Sequence, residues 1–178
     1  PMKVLTNALL LMSVVPSTLA ADHHVPADFS TIQAAIDAAA PGDAVIVADG
    51  VWTGVGNVDL DSGGKAIVVR SANGAESCII DCQATPEDPH RGVVFSNGET
   101  AASVFEGFTV RNGATPPGAI LDEFNGGAIL CNNGSDPTIR ACILRDNHAG
   151  CWGGAICCTS SSPRIERCTI LDNIADDD

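Results

Sequence analysis

The spacing of hydrophobic positions is helical in one short stretch near the start of the chain. Over residues 31–40 the apolar positions recur every three or four residues, which is the spacing of one helix face. They are Ile32, Ala35, Ile36 and Ala39. Ser30-Thr31-Ile32-Gln33 fits a capping box at the helix start, and Pro41-Gly42 ends the helix. The pattern therefore predicts one amphipathic helix over 31–40.

Beyond this helix the spacing changes to the two-residue alternation of β-strands. Four short segments follow that pattern and are separated by turn residues. They are 44–48, which Asp49-Gly50 closes, and then 66–70, 78–81 and 92–95. The segments between them show no helical pattern, so the sequence does not favour a β–α–β fold.

A motif recurs in the second half of the chain after 26 to 27 residues. Gly-Gly-Ala-Ile at 126–129 returns at 153–156, and a Pro-x-Ile motif also returns. The other recurring pairs are Cys131/Cys158, Ile139/Ile165, Cys142/Cys168, Leu144/Ile170 and Asn147/Asn173. A weaker copy at an offset of 34 aligns Phe105, Phe108 and Val110 with Ile139, Cys142 and Leu144. The longer offset predicts an eight-residue insertion within 114–125.

The length of the repeat has a geometric meaning. Strand residues rise ~3.3 Å each, so one repeat traces at most ~86 Å, which suits one turn of a three-sided coil. Successive coils would stack ~4.8 Å apart as parallel strands, with equivalent apolar residues in columns inside. Gly-Gly pairs and the Asn147/Asn173 pair would occupy the corners. The sequence thus predicts an all-β fold, a single-stranded parallel β-helix of about five coils, with the helix at 31–40 covering the first coil.

Several motifs resemble the right-handed parallel β-helix proteins of the pectin-lyase-like superfamily. They are the helix motif at 32–39, Pro-Gly-Asp at 41–43, Val-Ile-Val at 45–47, the aromatic in 50–52, the segment 106–113 and the Gly-Gly-Ala-Ile repeats. The resemblance covers about residues 25–178. The repeats are also similar to those of polymorphic outer membrane proteins, with Leu144 and Ile170 where those repeats carry Phe. The resemblance implies a right-handed coil, on a fold that hosts lyases, hydrolases and non-enzymatic surface proteins.

The first twenty residues are typical of a secretory signal peptide. Met2 and Lys3 precede a mostly apolar segment at 4–15, and Thr18-Leu19-Ala20 offers small residues before a cleavage point. The segment is too short to span a ~30 Å hydrocarbon core, and no later apolar run approaches the length of a transmembrane anchor. We therefore expect a secreted or cell-surface protein.

The predicted organisation is a signal peptide at 1–20, a lead-in and capping helix at 21–42, and a β-helix at 43–178. His23 and His24 fall in the lead-in and are interpreted as part of a solvated terminus. At the other end, Asn147 precedes Gly153 by six residues, and the same count from Asn173 reaches position 179, one beyond the last residue. We therefore expect further coils, or a second copy of the chain, at an open C-terminal end.

The charge excludes one class of partner. The chain carries 9 Lys and Arg against 22 Asp and Glu, for a net charge of −13. Nucleic-acid binding needs a basic surface, and no local cluster of Lys or Arg supplies one. An acidic chain also repels polyanions unless a cation bridges the two.

Few residues are candidates for a catalytic, metal-binding or ligand-binding role. Asp59, Asp61 and Asp81 offer the hard oxygen ligands that calcium prefers, so calcium is a candidate cofactor. The repeat stacks Arg111 on Arg145, which makes this pair a candidate ligand-binding feature. No complete catalytic set is recognisable, and the motifs of galacturonan hydrolases are absent. The leading hypothesis is a non-enzymatic binding, adhesion or structural module, whose ligand is a polysaccharide or another cell-surface molecule; the alternative is a pectate-lyase-like polysaccharide lyase.

Other polar and thiol residues have structural explanations. Glu106, Arg140 and Glu166 share one place in the repeat and predict an outward-facing charge ladder. The eight cysteines are interpreted mainly as buried free thiols, and disulfides between coils remain an alternative because a ~4.8 Å spacing lies within the range that a bridge allows. The candidate pairs are Cys131/Cys158, Cys142/Cys168, Cys78/Cys82 and Cys151/Cys157.

Overall fold

The computed structural model describes residues 19–85, 87–116 and 125–176. Within these ranges the chain forms one helix and seventeen strands, and each strand has two to four residues. The helix is α1 (Ile32–Ala38). The strands in chain order are β1 (Asp22–Val25), β2 (Ala44–Val47), β3 (Gly50–Trp52), β4 (Leu60–Asp61), β5 (Val68–Ser71), β6 (Cys78–Asp81), β7 (Val93–Phe95), β8 (Val104–Glu106), β9 (Thr109–Arg111), β10 (Ile129–Cys131), β11 (Thr138–Arg140), β12 (Ile143–Arg145), β13 (His148–Ala149), β14 (Ile156–Cys158), β15 (Arg164–Glu166), β16 (Thr169–Leu171) and β17 (Ile174–Ala175).

The strands form four sheets in which neighbours run parallel. The six-stranded sheet has the order β1-β2-β5-β8-β11-β15, and the five-stranded sheet has the order β3-β6-β9-β12-β16. The four-stranded sheet is β4-β7-β10-β14, and β13 pairs with β17. From β2 onward the chain visits the six-, five- and four-stranded sheets in turn and then begins again. The fold is therefore all-β and parallel with one helix.

The strand register confirms the predicted stacking of equivalent residues. Ile129 pairs with Ile156 and Ile139 pairs with Ile165. The weaker upstream copy also stacks as predicted, since Phe105 lies opposite Ile139. These positions alternate with outward-facing ones along each strand, so the apolar columns form one continuous core. The last members of two columns, Ile165 and Ile170, were predicted to lie inside but are about half exposed.

The helix begins and packs much as predicted. Thr31 is its N-cap, and the Thr31 Oγ1 accepts a hydrogen bond from Ala34 N at 3.3 Å. Ile32, Ala35 and Ile36 are buried, and the helix contacts β1, β2 and β4. The prediction that this helix packs over the first strands is therefore confirmed.

The predicted capping box does not form, because Thr31 rather than Ser30 is the N-cap. The Gln33 side chain does not turn back to the helix start. Its Nε2 donates to Asp61 O at 2.9 Å, and its Oε1 accepts from Asp61 N at 3.0 Å. β4 is the last strand of its sheet. The Gln33 amide therefore forms the two hydrogen bonds to the Asp61 backbone that a further strand would form.

The predicted charge ladder is confirmed. Arg140 lies in register between Glu106 and Glu166, and all three side chains are half-exposed rather than buried. Arg140 Nη2 donates to Glu106 Oε2 at 2.7 Å. Arg70 extends the same column on β5, a neighbour that the repeat did not reveal.

The corners hold small residues and a buried amide. Asn147 is buried, and its N and Nδ2 both donate to Asn173 Oδ1, at 3.1 and 2.8 Å. Gly113 N donates in turn to Asn147 Oδ1 at 2.9 Å. A Cβ added at Gly127 would lie 2.2 Å from Gly154 O, so the Gly-Gly pairs let neighbouring passages of the chain approach closely.

Several short strands were missed in the sequence. The segment interpreted as a solvated lead-in forms β1, which pairs along its length with β2. Gly50, interpreted as part of a closing turn, starts β3, and β4 had no predicted counterpart. The signal peptide prediction, at 1–20, falls mostly on residues 1–18, and the eight-residue insertion predicted within 114–125 falls mostly on 117–124; residues 1–18 and 117–124 lie outside the described residues. Among the described residues, no helix is long and apolar enough to span a membrane.

Candidate functional site

The two arginines selected as ligand-binding candidates lie on the outer face of the five-stranded sheet. Arg111 ends β9 and Arg145 ends β12, and the two are register partners, as the repeat predicts. The residues that precede them, Val110 and Leu144, are fully buried. Since side chains alternate along a strand, both guanidinium groups project away from the core.

A carboxylate on the neighbouring strand β6 forms an ion pair with one of the two arginines. Asp81, proposed as a calcium ligand, is the register partner of Arg111 on β6. Its Oδ2 accepts from Arg111 Nη2 at 2.9 Å and from Arg111 Nε at 3.1 Å, and its Oδ1 accepts from Asn112 Nδ2 at 2.8 Å. The Asp81 side chain is only 9% exposed. Two residues assigned to separate sites therefore form one ion pair.

The positive charge of Arg145 is balanced by a carboxylate next to it in the chain. Its Nη1 contacts Asp146 Oδ2, the next residue in the chain. The stacking of two arginines is thus relieved by two carboxylates, one below the pair and one beside it. About a third of the Arg145 side chain and over two fifths of the Asp146 side chain remain exposed. Arg145 is therefore the more accessible cation of the two.

A groove of about 340 Å³ lies along this face. Its floor follows a column of register partners, in which two isoleucines alternate with two threonines. They are Ile79, Thr109, Ile143 and Thr169. Glu76, Arg145 and Leu171 complete the lining. The groove thus combines a floor of isoleucine and threonine side chains with one acid and one base.

The other two proposed calcium ligands lie elsewhere and are engaged differently. Asp59 Oδ2 lies 2.5 Å from His90 Nδ1, and Asp59 Oδ1 accepts from Arg91 N at 2.7 Å. Asp61, on β4, accepts from Gly63 N at 2.7 Å and from Asn97 Nδ2 at 3.0 Å. The three carboxylates do not converge. Within the described ranges, no three His, Cys, Asp or Glu side chains form a group that could hold a metal ion.

Two buried carboxylates were missed in the sequence. Asp43 Oδ1 accepts from Ala21 N at 2.8 Å, and its Oδ2 accepts from Ala40 N at 2.9 Å and lies 3.1 Å from His23 Nε2. These contacts lower the pKa of Asp43 to about 2, the backbone hydrogen bond from Ala21 being the largest cause. They join the start of β1 to the loop after α1, so this carboxylate has a structural role. The Pro-Gly-Asp motif at 41–43 was the available signal.

Glu99 is the second of these carboxylates and is almost completely buried. Its burial alone would oppose ionisation, but several groups hydrogen-bond the charged form, among them Asn97 N, Ser62 Oγ and Gly64 N, each at 2.9 Å. The balance holds the pKa of Glu99 below its usual value. The loop around Glu99 carried no pattern that predicts a buried acid.

All eight cysteines lie in the described part of the chain and are free thiols. Cys131 pairs in register with Cys158, as predicted. A hydrogen bond with Cys131 lowers the pKa of Cys158 to about 7, and a hydrogen bond with Cys142 lowers the pKa of Cys168 to about 6. In each pair the inner thiol keeps its proton, and its pKa is raised by the same bond and by burial.

Comparisons with protein-family models, with curated proteins and with solved structures found no match to this chain.

Proposed function

We propose that this chain is a secreted or surface-exposed binding module, built as a right-handed parallel β-helix, whose five-stranded sheet presents a groove for polysaccharide. The observation that carries the proposal is the groove of about 340 Å³ on the outer face of that sheet. A groove that runs across parallel strands offers contacts at a regular spacing, one strand apart. This suits a ligand that is itself a chain of similar units.

The proposal of a coil is based on the order in which the chain visits its sheets. Each return to the six-stranded sheet adds a strand beside the previous one, and the other two large sheets grow in the same direction. A chain that keeps this order advances by one strand spacing per visit, about 4.8 Å. The handedness and the relation to the pectin-lyase-like superfamily rest on the sequence motifs at 32–39 and 106–113.

The chemistry of the groove favours a carbohydrate. Ile79 and Ile143 give an apolar floor for the C–H faces of sugar rings, and the exposed Thr169 offers a hydroxyl for their polar edges. The four floor residues span about 14 Å, three strand spacings, which is the length of a short oligosaccharide. Arg145 at the rim is available to a sugar carboxylate that displaces Asp146.

Secretion is proposed from the first twenty residues alone. A basic residue, a short apolar segment and small residues before the predicted cleavage point form the pattern of a secretory signal. Expression of the full chain in a secreting host, followed by N-terminal sequencing of the secreted product, tests it. A product that begins at Ala21 is expected, and full retention inside the cell would contradict the proposal.

Affinity electrophoresis through gels that contain polygalacturonate, or a neutral polysaccharide, tests the binding function. We expect retarded migration of the folded protein in at least one gel and loss of retardation in Ile143→Asp, which places a charge on the groove floor. Val94→Asp is the matched control, since Val94 is a half-buried outward residue on β7 in another sheet. Equal retardation of both variants would contradict the assignment of the groove.

The polysaccharide lyase is the competing function, and the same proteins test it. Lyase action on a uronate polymer produces unsaturated products, whose absorbance is followed with and without calcium. Both arginines on the face are already ion-paired, so neither is poised as a free base. We expect no unsaturated product; its calcium-dependent release by the parent chain would replace the binding proposal with the lyase.

A further inference from the structure

A second cavity, of about 270 Å³, lies at the corner where the six-stranded sheet meets the five-stranded sheet. Arg70 on β5 and Glu106 on β8 are register partners, and both line this cavity. β5, β8 and β11 are interior strands of the six-stranded sheet, so the cavity is formed between strands that have neighbours on both sides. The other lining residues are small, and they are Ser71, Ala72, Gly74, Gly107 and Ala141.

The cavity is open because two successive corners carry small residues. Gly107 follows β8 and Ala141 follows β11, and both have a left-handed backbone, with φ of 76° and 51°. The next corner has the same backbone conformation at Arg167, with φ of 52°. This conformation therefore does not by itself require a small side chain. A Cβ added at Gly107 would lie 2.5 Å from Ser71 Oγ, so glycine leaves room that any larger residue would fill.

The guanidinium group of Arg70 is turned toward this corner. Its Nη1 lies 3.5 Å from the carbonyl oxygen of Ser71, which is the long limit of a hydrogen bond. Among the described residues, no carboxylate forms an ion pair with Arg70, although Glu106 is its neighbour on β8. Glu106 Oε2 instead accepts from Arg140 Nη2 at 2.7 Å. Since a guanidinium group has five N–H donors, most of those of Arg70 remain for a ligand.

The two charged side chains favour a ligand that both donates and accepts hydrogen bonds. A small anion would pair with Arg70 but would also meet the negative charge of Glu106, and a small cation would meet the reverse. A carboxylate has about four acceptor positions, so Glu106 keeps acceptor capacity beyond its contact with Arg140. The hydroxyls of a neutral sugar accept from the guanidinium group and donate to the carboxylate without adding a charge.

The size of the cavity fits one sugar ring. Its volume of about 270 Å³ corresponds to about nine waters at ~30 Å³ each. Sites for drug-sized ligands usually enclose about 300–1,000 Å³. A single sugar unit is therefore a better match than a longer oligosaccharide.

The cavity lies beside the groove on the five-stranded sheet. Gly107 lines the cavity, and Thr109, two residues later, lines the groove. Two strand residues span about 7 Å, which is close to the length of one sugar unit. The segment 72–77 borders both spaces, since Gly74 lines the cavity and Glu76 lines the groove. The corner between them is low because its residues are small.

We propose that this corner cavity binds one neutral sugar unit, held by Arg70 and Glu106, of the polysaccharide that occupies the groove. The assignment of this unit to a polysaccharide rests on the proposed function of the groove. The cavity has its own donors and acceptors, so it also binds a free sugar when the groove is disabled. The two sites can therefore be tested separately.

Nuclear magnetic resonance of the ¹⁵N-labelled chain, titrated with the methyl glycosides of galactose, glucose and mannose, tests the cavity. At least one of these sugars should shift the amide signals of Gly74 and Gly107, both in the parent chain and in Ile143→Asp, and sulfate should shift them less. Arg70→Met removes the donors but keeps an apolar stem beside Ile46, the register partner of Arg70 on β2. This variant should bind the sugar at least about tenfold more weakly.

A pair of glutamine variants tests the position of the site. Ala141→Gln fills the cavity without a change of charge, and Gln83 already adopts the required backbone conformation, with φ of 50°. Arg167→Gln is the matched control, because it places the same residue at the next corner, outside the cavity lining. Sugar binding should be lost in the first variant and kept in the second. Circular dichroism verifies that each variant folds.

The possible outcomes separate the cavity from the groove. Cavity signals that shift with a sugar, in a chain that no polysaccharide gel retards, would support the cavity and contradict the groove. Shifts confined to the groove residues would overturn the cavity proposal and leave the groove. A stronger response to sulfate than to any of the sugars would identify an anion site and overturn the sugar assignment. Cavity signals that no probe shifts would overturn it as well.

Discussion

The two ends of the stacked strands contain similar apolar residues and differ in what covers them. At the N-terminal end, α1 lies over β1, β2 and β4 and buries Ile32 and Ile36. At the C-terminal end, Ile165 and Ile170 belong to the last strands and are about half exposed. Among the described residues, the apolar column is therefore covered by a helix at one end, and its side chains at the other end are about half exposed.

The covered end of the stack needs more than apolar side chains packed over its strands. At the N-terminal end, Gln33 pairs with both backbone groups of Asp61 at the edge of β4. Lys65 Nζ donates to Ile36 O and Asp37 O, both at 2.9 Å, and so holds the last turn of the helix. Closure thus depends on polar groups that satisfy the strand edge as well as on apolar cover.

The largest expected effect separates the covered column from the open one. Ile32→Ala removes a fully buried side chain beneath the helix and should lower the free energy of unfolding by about 2–5 kcal/mol. Ile170→Ala removes a half-exposed side chain and should cost about 0.5 kcal/mol. Urea unfolding of the two variants and the parent chain measures both losses. Similar losses in the two variants would show that the ends are equally covered.

A smaller effect should come from the side chain that pairs with β4. Gln33→Met keeps the length of the side chain but leaves the Asp61 backbone groups without it, which should cost about 1–2 kcal/mol. Asp37→Ala is the control, because it removes only the exposed contact of the same amide, at 2.7 Å. Urea unfolding should show little change in that control. A loss in the control as large as that in Gln33→Met would refute the role of the β4 edge.

The carboxylate that anchors β1 should make the covered end sensitive to acid. The pKa of Asp43 is about 2 in the folded chain against an ordinary value of 3.8. Because the folded value is the lower one, the stabilisation is fully present above about pH 4 and is lost as the pH falls through 2. The stability difference between the parent chain and Asp43→Asn should therefore shrink over that interval. Chemical unfolding at several pH values measures it, and a constant difference would contradict the assignment.

The smallest change concerns reactivity rather than stability. Cys158 and Cys168, with pKa values of about 7 and about 6, lie on the last strands or beside them and should be alkylated first at pH 7.5. Burial raises the pKa of Cys78 to about 12, so it should react slowly. Peptide mass spectrometry after brief iodoacetamide treatment gives the order. Cys131→Ala removes the hydrogen bond that stabilises the Cys158 thiolate, and slower alkylation of Cys158 is expected; an unchanged rate would refute the pairing.

The buried positions of the fold could be predicted because they recur in the sequence repeat. Residues that stack, such as Ile139 and Ile165, are under the same packing constraint in each coil and therefore resemble each other in sequence. The missed strand β1 follows no such constraint. Its two histidines give no strand pattern, and it is held by pairing with β2 and by Asp43, which are long-range contacts.

The candidate site was only half visible for a related reason. Arg111 and Arg145 were aligned by the repeat, and their pairing is confirmed. Asp81 lies 30 residues before Arg111, an offset outside the recognised repeat, so its ion pair with Arg111 was not foreseen. The groove floor escaped for a further reason. Ile79 and Thr109 have different polarity, and what they share is a position rather than a residue type.

The unequal lengths of chain between stacked strands have a consequence for protein engineering. Leu144 has one register partner 34 residues before it, Val110, and another 26 residues after it, Ile170. The register of β12 is therefore independent of how much chain separates it from its neighbours. Since the entropy of closing a loop grows slowly with its length, foreign peptides can be grafted between β9 and β10 at little cost. The stacked strands thus form a display scaffold in which the grafted peptide can be varied without changing the strands.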